Sequence, residues 1–168
     1  MLRNRLQRLR DRLVLLASGD SAGSQAGAIP YAIVQGQVVF LLITSRRSGR
    51  WIFPKGELIE GMTPWALAAH EAFEEAGVKG EIDTKPIGSY RTMKTFSLRR
   101  RPIAVDLYPL RVEEQLEEWP EKGQRHRHWA ILPEAKRLLS EAKLAEMATR
   151  LSQSLTPEAQ PASVLMKK

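Results

Sequence analysis

Two nearly continuous apolar runs stand out in the first half of the chain, with polar residues between them. IPYAIV (residues 29–34) and QVVFLLIT (37–44) are rich in β-branched and aromatic residues, and Gln35-Gly36 separates them. That pattern predicts two strands joined by a tight turn. A basic loop, SRRSGR (45–50), leads into WIFPKG (51–56), which predicts a short strand ending in a glycine turn. Thr63-Pro64 predicts a helix start, because threonine can cap the free N–H groups and proline suits the first helical position. Gly77 supplies the stop, so the helix is expected over 64–76. Ala66, Ala69, Phe73 and Ala76 recur at helical spacing and form its expected packing face.

Further strands are predicted in GEIDTKPIGSYRTMK (80–94), RPIAVDLYPLRV (101–112) and RHWAIL (127–132). In the second of these, Ile103, Val105 and Leu107 alternate with Ala104, Asp106 and Tyr108. Pro133 opens a predicted helix over 133–152, with Ala135, Leu138, Leu139, Ala142 and Leu144 on its apolar side. Strands interleaved with two helices indicate an α/β layered domain.

The two ends read differently. In LRNRLQRLRDRLVLLA (2–17), leucines 2, 6, 9, 13 and 16 recur at spacings of three and four, and five arginines fill the other faces. This predicts a basic amphipathic helix, suited to a membrane surface, a partner or its own domain. An arginine-rich, acid-poor start also resembles an organellar transit peptide. Residues 18–28, SGDSAGSQAGA, read as a flexible linker. The expected organisation is therefore helix and linker over 1–28, a compact domain over 29–152, and a mobile tail over 153–168.

Length and composition narrow this picture. A chain of 168 residues suits one domain, and 43% hydrophobic with 27% charged residues is ordinary for a globular protein. Cysteine is absent, which removes disulfide and thiolate chemistry and fits a reducing compartment such as the cytoplasm. No apolar run reaches the ~18 residues of a membrane span. A net charge of +7 favours polyanionic partners, whether phosphorylated small molecules, nucleic acid or an anionic membrane.

Against that positive balance, AAHEAFEEAGVKG (68–80) gathers Glu71, Glu74 and Glu75 on adjacent helical positions. Like charges at that spacing destabilise a helix by roughly 0.2–0.5 kcal/mol per pair. A solvated acidic face is one reading. The other is a hard divalent cation, which takes oxygen ligands and would offset the repulsion. A carboxylate outside the metal shell could accept a proton from an attacking water.

Residues 56–78, GELIEGMTPWALAAHEAFEEAGV, resemble the Nudix box, G-x5-E-x7-R-E-U-x-E-E-x-G-U, where U is a bulky aliphatic. Gly56, Glu71, Glu74, Glu75, Gly77 and Val78 match at the right spacing. WIFPKG, EEAGVKG and LEEWPEKGQRHRHWAI are similar to the diphosphoinositol polyphosphate and diadenosine polyphosphate hydrolase branch. The resemblance implies an α/β/α sandwich around a mixed sheet, and hydrolysis of a diphosphate linkage by a metal-activated water. It implies Mg2+, with Mn2+ as a substitute. Glu71 and Glu75 would be ligands, together with a backbone carbonyl at Lys55 or Gly56, and Glu74 would be the proton acceptor. Met62, His70 and Ala72 depart from the box, standing where it has Glu, Arg and the aliphatic. His70 then reads as a structural helix residue or as a partner of Glu74.

Three basic clusters suit phosphate oxygens: Ser45, Arg46, Arg47 and Arg50 with Lys55; Arg91 and Lys94 with Arg99, Arg100 and Arg101; and Arg125 with Arg127. The branch implies substrate contacts at the Thr44–Arg46 loop and near Arg99–Arg101. Trp51 and Phe53 read as core. The expected substrate is a small-molecule polyphosphate, namely a dinucleoside or nucleoside polyphosphate or an inositol pyrophosphate. Capped RNA ends are a further candidate, with nucleic acid less favoured. A dimer is open. The alternative is a non-catalytic Nudix-fold module that binds a phosphorylated ligand, RNA or an anionic membrane.

Overall fold

The computed structural model describes residues 24–156. The predicted helix at 2–17 and the tail from residue 157 lie outside the described residues. Eight strands form one mixed sheet: β1 Gln25–Val34, β2 Gln37–Thr44, β3 Trp51–Ile52, β4 Lys55–Glu57, β5 Val78–Ile82, β6 Gly88–Phe96, β7 Arg99–Gln115 and β8 Arg127–Ile131. The central path runs β3-β2-β1-β7-β5, with β4 paired to β1, β6 to β7 and β8 to β2. The β1–β7 pair is parallel and the remaining pairs are antiparallel. The predicted hairpin is present, with Tyr31 opposite Phe40 and Val34 opposite Gln37. Its turn uses positive φ at both Gln35 and Gly36 (50° and 77°), the twist that a two-residue hairpin turn requires.

Side-chain alternation sends each strand's residues to two opposite cores. Ile29, Phe40, Leu42, Val105 and Leu107 pack with Leu144, Met147 and Leu151 on one side. Ala26, Ala28, Leu41, Ile43, Tyr108 and Leu110 pack with Leu67, Ala68, Ala72 and Ala76 on the other. Helices therefore cover both faces, and the expected α/β/α sandwich is what forms. They are α1 Pro64–Glu71, continued by a π-helical turn over Ala72–Ala76, then α2 Leu132–Leu138 and α3 Ala142–Leu155. Among the described residues no helix is long and apolar enough to cross a membrane.

Three sequence expectations change. Gln25–Ala28 belong to β1 rather than to a linker, so the sheet begins before Ile29. Their small side chains misled the reading, yet smallness is required there: a Cβ on Gly27 would lie 2.6 Å from the Pro54 carbonyl oxygen and 2.9 Å from Leu107 Cδ2. The helix expected over 133–152 breaks into α2 and α3. Leu139 turns extended (ψ 124°) and bridges to Trp51, while the Ser140 N–H reaches the Trp51 carbonyl. The buried stripe of α1 and its π-helical turn is Leu67, Ala68, Ala72, Glu75 and Ala76; of the expected face only Ala76 is fully buried, Ala69 and Phe73 are half-buried and Ala66 is exposed.

Candidate active site

The acidic turn is fixed at both ends by the residues that announced it. Thr63 caps α1, its hydroxyl accepting the Ala66 N–H at 3.3 Å, and Pro64 follows in the first turn. Gly77 ends the π-helical turn in the left-handed conformation (φ 67°). Trp119 and Arg127 fill the space beside it, and a Cβ there would meet Trp119 at 2.7 Å. Arg127 stacks on the Trp119 ring at 3.9 Å and donates to the Ala76 carbonyl at 3.1 Å, satisfying one of the terminal acceptors.

Between these ends the glutamates diverge in role. Glu71 lies against Gly56: a Cβ on Gly56 would fall 2.3 Å from Glu71 Oε1. Glu74 Oε1 is 3.3 Å from His70 Nε2, one turn back, which is the partner reading of His70. Met62, the other departure from the box, is exposed.

Glu75 is buried, at 8% exposure. Its Oε2 accepts the Lys55 backbone N–H at 3.1 Å, and its Oε1 pairs with Arg125 Nη2. Burial pushes the Glu75 carboxyl up to about 7, with Glu121 adding to the rise; Arg125, the Lys55 N–H and the Lys55 ammonium pull the other way. Lys55 is half-buried, and that desolvation lowers its pKa against the opposing attraction of Glu75. Its Nζ donates to Gln25 Oε1 at 2.9 Å.

The basic residues separate into two groups. Arg46 leans from the β2–β3 loop onto Glu121 (3.4 Å) and Gln124 (3.1 Å). The loop closes on itself through Ser45 N–H to the Arg50 carbonyl at 2.8 Å, and Arg47 and Arg50 are exposed. Arg99, Arg100 and Arg101 lie exposed on the β6–β7 hairpin, whose Lys94 reaches Glu57 beside Gly56. Arg125 leaves the phosphate-binding group to which its sequence neighbours assigned it: its side chain is 6% exposed and bound to Glu75 and Glu121. Arg127 leaves as well, held by Trp119 and Ala76. Glu121 and Gln25 are site residues that sequence reading missed, and Thr44, expected on the substrate loop, holds Arg125 through its carbonyl. Glu121 and Arg125 are four apart in EKGQR, which hints at a pair, but no helical pattern surrounds them.

Three carboxylates and nearby backbone oxygens make an all-oxygen donor set, which suits magnesium chemically. Among the described residues no three acids or histidines already converge as a metal cage. Magnesium does not need one, since it is usually held by one or two carboxylates with substrate phosphates and water. The donor set therefore fits the ion.

Residues 25–151 match the family described as NUDIX domain. Nudix hydrolase 4 of Arabidopsis thaliana is 35% identical over 131 residues, covering 70% of this chain and 60% of the relative. Diphosphoinositol polyphosphate phosphohydrolase 2 of Rattus norvegicus is 31% identical over 137 residues, covering 79% of this chain and 73% of the relative. The chain spans 60% of the length of Nudix hydrolase 4 and 63% of that of the mitochondrial Nudix hydrolase 12 of the same plant. Among solved structures, a C. elegans Ap4A hydrolase binary complex superposes with a TM-score of 0.61 at 21% identity, over 80% of this chain and 98% of that one. The NUDIX domain of Shewanella oneidensis NrtR, complexed with ADP ribose, gives 0.62 at 14% identity, over 86% of this chain and 98% of that one. Identities that low bear on the fold alone. The family match covers most of the chain and carries the same acidic turn that the structure packs against Gly56 and Lys55, so this chain belongs to the Nudix family.

Proposed function

We propose that this chain hydrolyses a diphosphate linkage in a highly phosphorylated small molecule, with magnesium or manganese as cofactor. Dinucleoside polyphosphates, nucleoside polyphosphates and inositol pyrophosphates are the candidate substrates. The observation that carries this reading is the packing of Glu71 against Gly56 and of Glu75 against the Lys55 N–H, with Glu74 on the same acidic turn facing His70. The name of one relative, a diphosphoinositol polyphosphate phosphohydrolase, supports the substrate class.

Glu71 and Glu75 would hold the ion together with the Lys55 or Gly56 carbonyl. Bound there, magnesium would polarise phosphoryl oxygen and acidify water. Glu74 accepts the proton of the attacking water, and His70 steadies its carboxylate from one turn back. Lys55, anchored on Gln25, keeps a cation next to the acids. Arg46, Arg47 and Arg50 on one loop, and Arg99, Arg100 and Arg101 on the hairpin, bind substrate phosphates, with the Ser45 hydroxyl as a further contact.

The test is a screen for release of the hydrolysis products, whether nucleotides, pyrophosphate or phosphate, from these three substrate classes, with magnesium, with manganese and with chelator. Chelator-sensitive release from at least one class is expected. Strong, salt-sensitive binding across the panel without any turnover would replace this reading by a binding module.

A further inference from the structure

Arg125 differs from Arg46 in its setting: its side chain is 6% exposed, against 53% for Arg46. Each of its three nitrogens donates a hydrogen bond. Nη1 donates to the Thr44 carbonyl at 3.0 Å, Nε donates to Glu121 Oε2 at 2.6 Å, and Nη2 takes Glu75 Oε1. Thr44 ends β2 and begins the basic loop. Glu121 also receives Arg46, and its backbone N–H donates to the Glu74 carbonyl at 3.1 Å. One guanidinium thus joins the acidic turn, the start of the basic loop and the segment before β8.

The pairing on Glu75 has a chemical consequence. With the Lys55 N–H on Oε2 and Arg125 on Oε1, the carboxylate is compensated by the protein's own groups. A divalent ion drawn to Glu75 meets a fixed positive charge at the same oxygen, and like charges at short range in a partly dry site repel strongly.

We infer that Arg125 is the positioning residue of the acidic turn: it orients Glu75, competes with the divalent ion for Glu75 Oε1, and ties that competition to the basic loop through Thr44 and Glu121. This rests on the metal reading proposed above and adds the residue that sets metal affinity.

Mn2+ titration of the full chain, read by electron paramagnetic resonance in mildly alkaline buffer, tests it without turnover. Arg125→Met removes the competing charge and keeps the aliphatic stem. Its Kd for Mn2+ should fall at least about threefold, where a purely structural role would weaken binding. Arg125→Lys retains the charge and should stay near wild type. Glu121→Gln leaves Arg125 with one carboxylate fewer to share, tightens its hold on Glu75, and should raise the Kd by a similar factor. If Arg125→Met does not fold, Arg125→Gln keeps hydrogen-bond donors without the charge and decides the matter: a lower Kd supports the inference, and an unmoved or raised Kd overturns it. Wild-type binding with the Kd unmoved in folded Arg125→Met and in Glu121→Gln overturns the inference alone. No Mn2+ bound by wild type overturns the metal reading and this inference with it.

Discussion

The two faces of the sheet are built from different materials. The face under α2 and α3 is filled by large side chains: Phe40, Ile29, Leu42, Leu107 and Leu144. The face under α1 mixes Leu41, Ile43, Leu67, Tyr108 and Leu110 with alanines at 26, 28, 68, 72 and 76, and the adjoining turn buries the glutamate at 75. Bulk on the first face maximises apolar area removed from water, at about 25 cal/mol per Å2. Small residues on the second let a helix lie close to the sheet, so that Glu71 rests on Gly56 and Glu75 reaches the Lys55 N–H. One face supplies stability, and the other gives up part of it to aim carboxylates.

Substitutions should separate these duties. Phe40→Ala, on the large-residue face, should cost about 3–5 kcal/mol in denaturant unfolding and change Mn2+ affinity little in the molecules that stay folded. A loss below about 1 kcal/mol would contradict the assignment of stability to that face. Gly27→Ala sets a methyl against the Pro54 carbonyl, a backbone atom that cannot step aside. It should destabilise by about 1–3 kcal/mol. A full-strength thermal transition in that variant would show that the close approach is not needed. Gly56→Ala meets only the far end of the Glu71 side chain, which can move. The melting temperature should therefore barely change, while divalent-ion affinity drops about tenfold, as for displaced ligand positioning; unchanged affinity would separate Glu71 from the metal. Thr63→Ala removes one cap bond and should cost about 1 kcal/mol, with turnover per folded molecule preserved.

The same contrast explains what the sequence disclosed. The β1–β2 hairpin was legible because two β-branched, aromatic-rich runs and the Gln35-Gly36 break between them agree. The ends of the acidic helix were legible because Thr63, Pro64 and Gly77 each have one local job. Its buried stripe was not. Alanine at 66, 68, 69, 72 and 76 offers two apolar stripes of similar strength, and the one that packs includes Glu75, which pattern reading assigns to solvent. That burial is stabilised by Arg125 and Lys55, both distant in sequence. Arg125 itself read as one more surface cation, since nothing in QRHRH distinguishes a buried arginine from an exposed one. The break at Leu139–Glu141 was hidden for a similar reason, because its cause is a contact with Trp51. Local chemistry could be read from local sequence, whereas the network around Glu75 depends on which segments the fold brings together.

The central claim is that the acidic turn performs metal-dependent hydrolysis with Glu74 as proton acceptor. The most direct measurement is the rate of product formation by Glu74→Gln with magnesium, beside wild type, on the best substrate of the screen, with circular dichroism confirming the fold. The account predicts a loss of about 10²–10⁴-fold in kcat with an unaltered spectrum. Hydrolysis undiminished in a folded Glu74→Gln variant would contradict it.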